Sequence, residues 1–320
     1  MLALILSIII LSYNPAPGQF INMLPAVTDD PVLAAQTNID RGSLVCLGAV
    51  GGSLTAQFSE PVVNSHDYDI TIYGNAFENG SEPGVIFVSY DENGNGLADD
   101  QWYEIAGSEY DRTIHNYSIT YYRPASDTSN IRYRDSEGNE GFIPRNTFHQ
   151  QPYYPSWIAE DSIVLTGSLL PSNINDVKGD GSLVYLEAFE YGYADNASNS
   201  DLYPCSIKID WAVDSLGNPA NLPQVDFIRI QTGVLYTNAS NIGELSTEVS
   251  AIHPTATLTS LDDITDNTIP EEFDAYTITG QFIGHYTIHD LPELKTKLSI
   301  LNSQISILKG QNRTIKLMLK

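Results

Sequence analysis

Hydrophobic and polar residues alternate with a period of two along the middle of the chain. In residues 67–72, hydrophobic Tyr68, Ile70 and Ile72 alternate with polar residues, as in a strand with one buried face. Clusters of Gly, Asn, Asp, Ser and Pro, which favour turns, separate such runs. Similar runs lie at 85–90, 117–122, 162–166, 183–189, 206–211 and 225–230. The pattern predicts an all-β fold, with an antiparallel, jelly-roll-like β-sandwich over residues 41–254.

The start of the chain carries a short apolar run. Residues 2–11 read LALILSIIIL, which is shorter than the roughly 20 residues that a membrane-spanning helix needs. Small residues and prolines follow, and this order is typical of a cleavable secretory signal. One feature departs from that pattern, because no Lys or Arg precedes Arg41. We expect residues 1–18 to be a signal peptide and residues 19–40 to be a linker.

The end of the chain differs in composition from the middle. Residues 255–271 are rich in Thr, Ser and Asp, which is typical of a linker. Beyond them, strand-like runs recur, and residues 272–320 are expected to form a small C-terminal β-sandwich domain. For residues 291–301 an amphipathic helix is an open alternative. Basic residues become frequent in this last part: Lys295, Lys297, Lys309, Arg313, Lys316 and Lys320.

Charge narrows the range of partners. The chain has 40 acidic and 15 basic residues, a net charge of -25. Such a chain repels phosphate backbones, so we do not expect nucleic acid to be a partner. The excess suits a cation-binding extracellular protein, and it also suits a protein that only needs to stay soluble. The two cysteines, Cys46 and Cys205, fit either a disulfide or two buried thiols.

The sharpest local signal is an acidic loop that contains glycines. Residues 91–100 read DENGNGLADD, and calcium takes six to eight oxygen ligands that such loops supply around a turn-forming glycine. The twelfth position is Trp102 and not a glutamate, so the loop is not an EF-hand. A plain Asn-Gly hairpin turn is the alternative. The predicted calcium ligands are Asp91, Asn93, Asn95, the carbonyl of Leu97, Asp99 and Glu104.

Aromatic residues are concentrated in two predicted loops. Residues 149–157 read HQQPYYPSW, and a second cluster lies around Tyr191. Exposed rings stack on sugars or flat ligands at a low entropic cost. The alternative is that these rings close the ends of the sandwich as part of the core. Trp102 and Trp211 are expected to lie in the core. The predicted ligand-binding residues are His149, Tyr153, Tyr154, Trp157, Tyr191 and Tyr193.

Signals for catalysis are weak. The six histidines have no zinc or triad spacing, and neither a nucleophile elbow nor a phosphate-binding loop occurs. A glycosidase needs two carboxylates at a set separation, which sequence spacing does not determine. Glu104 with Glu109, and Glu244 with Glu248, are the pairs that a glycan-cleaving enzyme would use. We expect a binding protein and keep the enzyme as an alternative.

The tail is similar to a known export domain. Residues 276–281 (YTITGQ), 305–309 (ISILK) and 314–317 (TIKL) resemble the C-terminal sorting domain of the type IX secretion system of Bacteroidota. The resemblance covers about 50 residues. It implies a small β-sandwich that engages the type IX machinery and takes the protein to the outer surface of a Gram-negative cell or into the medium.

The body resembles a group of Bacteroidota cell-surface proteins. The matching stretches are residues 73–77, 80–85, 91–100 with 102–110, and 243–248. Some members of the group are similar to proteins associated with cobalamin capture. The resemblance therefore implies a ligand-binding surface protein, with cobalamin as one ligand and residues 149–157 as its surface. A carbohydrate-binding module on the same scaffold is the alternative ligand class.

Overall fold

The computed structural model describes residues 8–18, 30–145, 152–200, 205–235, 245–254, 256–258, 272–277, 282–287, 290, 305–309 and 314–318. Strands dominate these residues, which contain one α-helix, so the prediction of an all-β, sandwich-like fold is confirmed. The helix is α1 (Pro31–Asp40), and single 3-10 turns lie at Tyr110–Arg112 and Ile209–Trp211.

The strands of the main body, in chain order, are β1 (Ile8–Asn14), β2 (Val45–Cys46), β3 (Ser53–Val63), β4 (Ile70–Tyr73), β5 (Gly84–Ser89), β6 (Trp102–Ile105), β7 (Ile114–Tyr122), β8 (Ile131–Asp135), β9 (Glu140–Ile143), β10 (Ser162–Leu169), β11 (Ile174–Asp176), β12 (Val184–Leu186), β13 (Ser206–Ile207), β14 (Ala212–Val213), β15 (Gln224–Thr232), β16 (Glu248–Val249) and β17 (Ala251–Pro254). The tail contributes β18 (Ala256–Leu258), β19 (Glu272–Thr277), β20 (Phe282–Thr287), β21 (Ile305–Lys309) and β22 (Thr314–Met318).

A six-stranded antiparallel sheet is the centre of the body. Its strand order is β1-β3-β15-β5-β6-β14. A four-stranded sheet, β10-β7-β8-β9, packs beside it, and three small sheets, β13-β4-β17, β11-β12 and β16-β2, complete the body. Gln231 of β15 joins the two large sheets, because its amide donates to the carbonyls of Thr166 and Gly51 at 2.7 and 3.2 Å.

Two hydrophobic cores pack against the large sheets, and a third, smaller cluster contains Val85 and Tyr193. One face of the six-stranded sheet packs on α1 and on the three-stranded sheet through residues such as Leu54, Ile72 and Ile230. The inner face of the four-stranded sheet packs on a second cluster that includes Tyr117 and Tyr121. The Tyr121 hydroxyl donates to the Val50 carbonyl at 2.7 Å, which satisfies its polar end inside the core.

The apolar run at the start of the chain is an edge strand of the central sheet. β1 pairs antiparallel with β3, and Ile8, Ile10 and Tyr13 are 6%, 4% and 4% exposed. The chain then continues through buried Ala16, whose N–H donates to the Leu47 carbonyl. The alternating burial of these apolar residues is that of a strand with one buried face. The signal peptide expected over residues 1–18 stays a prediction, and its residues 8–18 lie within the folded body of this structure.

Part of the predicted linker over residues 19–40 is helical. α1 begins after Asp30, whose carboxylate accepts from the N–H groups of Val32 and Leu33, and this is standard N-capping chemistry. Its Gln36 amide accepts from the Ile10 N–H at 2.7 Å and donates to the Ile8 carbonyl at 3.3 Å. The helix thus covers the edge of β1, where unpaired backbone groups would otherwise face solvent.

Strand β4 is buried on both of its faces. Ile70 and Ile72 are 0% exposed, as the alternation predicts, but Asp69 and Thr71 are also buried, at 1% and 6%. The Asp69 carboxylate accepts from the N–H groups of Ser65 and Ile209. Burial raises the pKa of Asp69, although these hydrogen bonds act in the opposite direction. The polar face of this strand is an internal one.

The tail forms its own five-stranded sheet, in the order β18-β22-β21-β19-β20. β18 pairs parallel with β22, so residues 256–258 belong to this sheet and not to the predicted linker over 255–271. No helix of the described residues is long and apolar enough to span a membrane. Cys46 and Cys205 are both buried, and no disulfide joins them.

Candidate functional site

The acidic loop between β5 and β6 is closed by its own hydrogen bonds. The two carboxylate oxygens of Asp91 accept from the N–H groups of Asn95 and Gly96, at 3.0 and 2.8 Å. Gly94 and Gly96 have φ angles of 69° and 72°, a region that glycine adopts without strain. Most of the loop is exposed, including Leu97, whose N–H donates to Asn95 Oδ1 at 2.7 Å.

Side chains further along the loop join this network. The Asn93 amide donates to Asp100 at 3.2 Å, and the Asn95 amide donates to Asp99 at 3.2 and 3.3 Å. The structure thus brings four of the predicted calcium ligands, Asp91, Asn93, Asn95 and Asp99, into one connected group. Their oxygens are hard donors of the kind that calcium takes.

Glu104, the last predicted calcium ligand, is engaged elsewhere. Its Oε2 accepts from the Ser168 hydroxyl at 2.6 Å and lies 3.0 Å from Nδ1 of His115. Nε2 of His115 lies 3.1 Å from the carbonyl of Tyr110. Glu104 therefore links β6 to β7 and β10, and the prediction that it completes the calcium loop is not supported.

The same turn recurs three more times, a repeat that the sequence analysis missed. The pattern is Asp-x-x-Gly followed by Asn or Asp, beginning at Asp91, Asp135, Asp176 and Asp214. In each turn the aspartate accepts backbone N–H groups, and the glycine has a φ between 69° and 84°. The Asp91 loop differs because Asn93, Asn95, Asp99 and Asp100 surround it. Turn geometry alone therefore does not identify an ion site.

Residues 152–157 of the predicted ligand-binding loop pack inward. Tyr153 and Tyr154 are 1% and 5% exposed and belong to the second core, and Trp157 is half-buried against the first. The guanidinium of Arg123 stacks on Tyr154, with 4.3 Å to the ring centroid. The expectation that these tyrosine rings are displayed is wrong, since they plug the core. His149 lies outside the described residues.

The second aromatic cluster divides between core and surface. Tyr193 is 2% exposed, and its hydroxyl accepts from the Glu109 N–H at 2.8 Å. Burial raises the pKa of Tyr193 above its ordinary value. Tyr191 is half-buried, and its ring centroid lies 4.8 Å from that of Trp211. Tyr193 is thus part of the core, and Tyr191 reaches the surface.

Tyr191 belongs to a group of three half-buried rings that we call the aromatic row: Tyr68, Trp211 and Tyr191. Trp211 lies in the middle, and the Tyr68 ring meets it edge-on with 5.8 Å between centroids. The ammonium of Lys208 lies over Tyr68, 4.8 Å from the centroid. The three rings come from segments far apart in the chain, so no local sequence signal joins them.

Charged groups border the aromatic row. Lys208 pairs with Asp67 at 3.5 Å, and the exposed ring of His66 lies 3.1 Å from Asp210. A hydrogen bond from Asn64 lowers the pKa of Asp210, and His66 adds to this effect. The row therefore combines apolar ring faces with polar donors and acceptors, the combination by which small-molecule sites fix a ligand.

Three carboxyl groups meet inside the body, beneath β4 and β16. Single oxygens of Glu82, Asp195 and Glu248 lie within 4.8 Å of one another, and Asp195 and Glu248 are 0% and 2% exposed. Asp195 accepts from the N–H groups of Asn75, Ala76 and Glu248, each at 2.9 Å. No local sequence pattern marks this cluster, because its members lie far apart in the chain.

Burial dominates the electrostatics of this cluster. It raises the pKa of Asp195, with a further contribution from the charge of Glu248, and it raises the pKa of Glu248. The Glu248 side chain is also hydrogen-bonded to Glu82 and Asp195, and a bond between two carboxyl groups requires a proton on one of them. A proton or a cation would therefore stabilise the cluster, because neighbouring buried carboxylates repel each other.

The described carboxylates that were considered for glycan cleavage have other partners. Glu109 pairs with Arg112 at 2.7 Å, while Glu104 contacts His115 and Ser168. Glu248 is buried in the carboxyl cluster, and Glu244 lies outside the described residues.

Comparison with known proteins adds no family: no family model matches the chain, and no significantly similar curated protein was found.

Proposed function

We propose that this protein is an exported binding module whose aromatic row holds a ring-shaped ligand, most simply a sugar, and whose Asp91 loop carries a calcium ion. The observation that supports the ligand class is the row itself, three half-buried rings with polar neighbours. Flat ring faces stack on the apolar faces of sugars, and the surrounding charges hydrogen-bond to hydroxyl groups.

Export and surface location are part of the same proposal. They are supported by the resemblance of the tail to a type IX sorting domain and by the acidic composition. The matching segments 305–309 and 314–317 lie in β21 and β22, and the segment 276–281 begins in the last two residues of β19. Secretion machinery and the outer-membrane surface are the partners that follow from it. The signal peptide expected over residues 1–18 belongs to the same proposal, although residues 8–14 pair with β3.

Sugar binding is tested by replacing rings of the aromatic row. In titrations with a panel of neutral glycans, we expect Trp211→Ala and Tyr191→Ala each to weaken binding at least about tenfold, because a central aromatic contact contributes more than about 1.4 kcal/mol. Phe142→Ala is the control, since that ring is 54% exposed but lies on β9, outside the row. Equal losses in all three variants, or no binding by the wild type, would refute the assignment.

Cobalamin is titrated in parallel, because the resemblance of the body implies it. Cobalamin binding that Tyr191→Ala weakens, together with no glycan binding, would assign the aromatic row to a corrin ligand. Cobalamin binding that none of these variants changes would place such a ligand elsewhere on the protein.

Calcium binding is tested by thermal melting with added calcium and with chelator. Binding to the folded state alone stabilises by about 2.7 kcal/mol at 100 times Kd, which corresponds to roughly 5–10 °C for a domain of this size. We expect this shift to disappear in Asp99→Asn. Among the described residues, the Asp99 carboxylate accepts hydrogen bonds from the Asn95 amide and from no backbone N–H group.

Two further variants locate the ion. Asp214→Asn alters a turn of the same pattern, in which Asn218 donates to Asp214 but Leu222 and Pro223 stand where the Asp91 loop has Asp99 and Asp100. This variant should keep the calcium shift. Glu248→Gln should also keep the shift if the ion binds in the loop, and should lose it if the ion lies in the buried carboxyl cluster. A wild-type melt that calcium does not change would exclude both sites.

A further inference from the structure

Arg229 lies near the middle of the six-stranded sheet, on the face opposite the first core. Its neighbours along β15, Ile228 and Ile230, are 0% exposed and belong to that core, and successive side chains of a strand point to opposite faces. Thr55 of β3 and Phe87 of β5 are its partners across the sheet. The side chain is therefore half-buried and starts from a rigid backbone.

Two contacts fix the plane of the guanidinium. Its central carbon lies 4.1 Å from the centroid of the Trp102 ring, and Nε donates to the Thr55 hydroxyl at 3.2 Å. An arginine stacked in this way keeps its charge and its planar fork of donors. Neither terminal nitrogen of Arg229 donates a hydrogen bond to another residue of the described ranges. Four N–H groups are thus available to a ligand.

No carboxylate of the described part of the chain lies within ion-pair distance of Arg229, although the chain has 40 acidic residues. Other arginines do have such partners: Arg112, Arg123, Arg132 and Arg134. Burial lowers the pKa of Arg229, which reflects the loss of hydration around its charge. A partly dehydrated cation without a counter-ion is unfavourable, and an anionic ligand would remove that cost.

We propose that Arg229, framed by Trp102 and Thr55, binds a carboxylate group of a ligand through its two terminal nitrogens. The fork of a guanidinium matches the two oxygens of a carboxylate, and such bidentate pairs are stronger than neutral hydrogen bonds. The ligand class is a small organic acid or a sugar acid. This site does not rest on the aromatic row, whose test uses neutral glycans, so either assignment can fail alone.

The test is calorimetric titration with glucuronate, glucose and acetate at constant ionic strength. We expect the wild type to bind glucuronate at least tenfold more tightly than glucose, and Arg229→Gln to lose this preference. Arg132→Gln is the matched control, because Arg132 also stacks on a ring, that of Tyr122 at 4.6 Å, but is paired with Glu140. Acetate bound as tightly as glucuronate would indicate a general carboxylate site, and weaker acetate binding a sugar acid.

Two further measurements apply if Arg229→Gln does not fold, and the first of them uses the wild-type protein. Because Arg229 lies over Trp102, binding of glucuronate should change tryptophan emission in a saturable way, and glucose should not. Arg229→Lys, which keeps the charge but loses the fork, should bind glucuronate more weakly than the wild type. Emission that glucuronate leaves unchanged, or an Arg229→Gln protein that binds it normally, would overturn the proposal.

Discussion

Ile10→Ala is expected to destabilise the full chain by about 3 kcal/mol, although Ile10 lies within a run that reads as a secretory signal. Ile10 is 4% exposed in β1, and truncation of a buried isoleucine removes its hydrophobic burial and leaves a cavity, a loss of about 2–5 kcal/mol. Urea unfolding of the two proteins, followed by circular dichroism, measures the difference. The effect should appear as a lower midpoint with an unchanged slope.

Ile9→Ala is the matched control for this prediction. Ile9 is the preceding residue of the same strand, but its side chain is 53% exposed, so its truncation should change the stability by less than about 0.5 kcal/mol. Equal and small effects of the two variants would show that β1 is not part of the folded body. A mature secreted protein that starts after Gly18, with unchanged stability, would contradict the structure in the same way.

Glu248→Gln is expected to make the protein more stable at pH 8 but not at pH 4. Burial raises the pKa values of Asp195 and Glu248 above their ordinary values of 3.8 and 4.5. A carboxyl group whose pKa is higher in the folded than in the unfolded protein contributes stability at pH values below its unfolded-state pKa. That stability is lost as the pH rises through its folded-state pKa. The substituted glutamine has nearly the same shape as the glutamate but carries no charge, so the variant avoids this loss.

The measurement is the difference in unfolding free energy between variant and wild type as a function of pH. It should be near zero at pH 4 and rise to about 1–2 kcal/mol at pH 8, a typical gain when a buried charge is removed. Glu78→Gln changes an exposed glutamate of the same charge and should give no such curve. A difference that is independent of pH, or a destabilised variant at pH 8, would show that the cluster is charged and held by a cation.

Local patterns predicted several strands of the two large sheets. The runs at 85–90, 117–122, 162–166 and 225–230 coincide with β5, β7, β10 and β15, because alternation reports directly on a strand that is buried on one face. The run at 206–211 was predicted less well. It contains a two-residue strand and a 3-10 turn, since β character does not specify where a strand ends.

Some patterns have more than one physical origin, and there the sequence was misleading. An apolar run of about ten residues fits both a signal and a strand, and residues 8–14 of this run pair with β3 in the structure. Aromatic residues in a proline-rich loop fit both a displayed surface and a core plug, and Tyr153 and Tyr154 are buried. The choice depends on which sheet packs over the loop.

The sequence by itself determined the all-β class, the positions of several strands and the acidic loop at residues 91–100, because each depends on residues close together in the chain. Only the tertiary structure brings together the aromatic row, the buried carboxyl cluster and the residues around Arg229. Their members lie up to 174 positions apart, as Thr55 and Arg229 do, and strand pairing brings them together. A single sequence contains no local signal for contacts of that kind, because they are set by sheet order and packing.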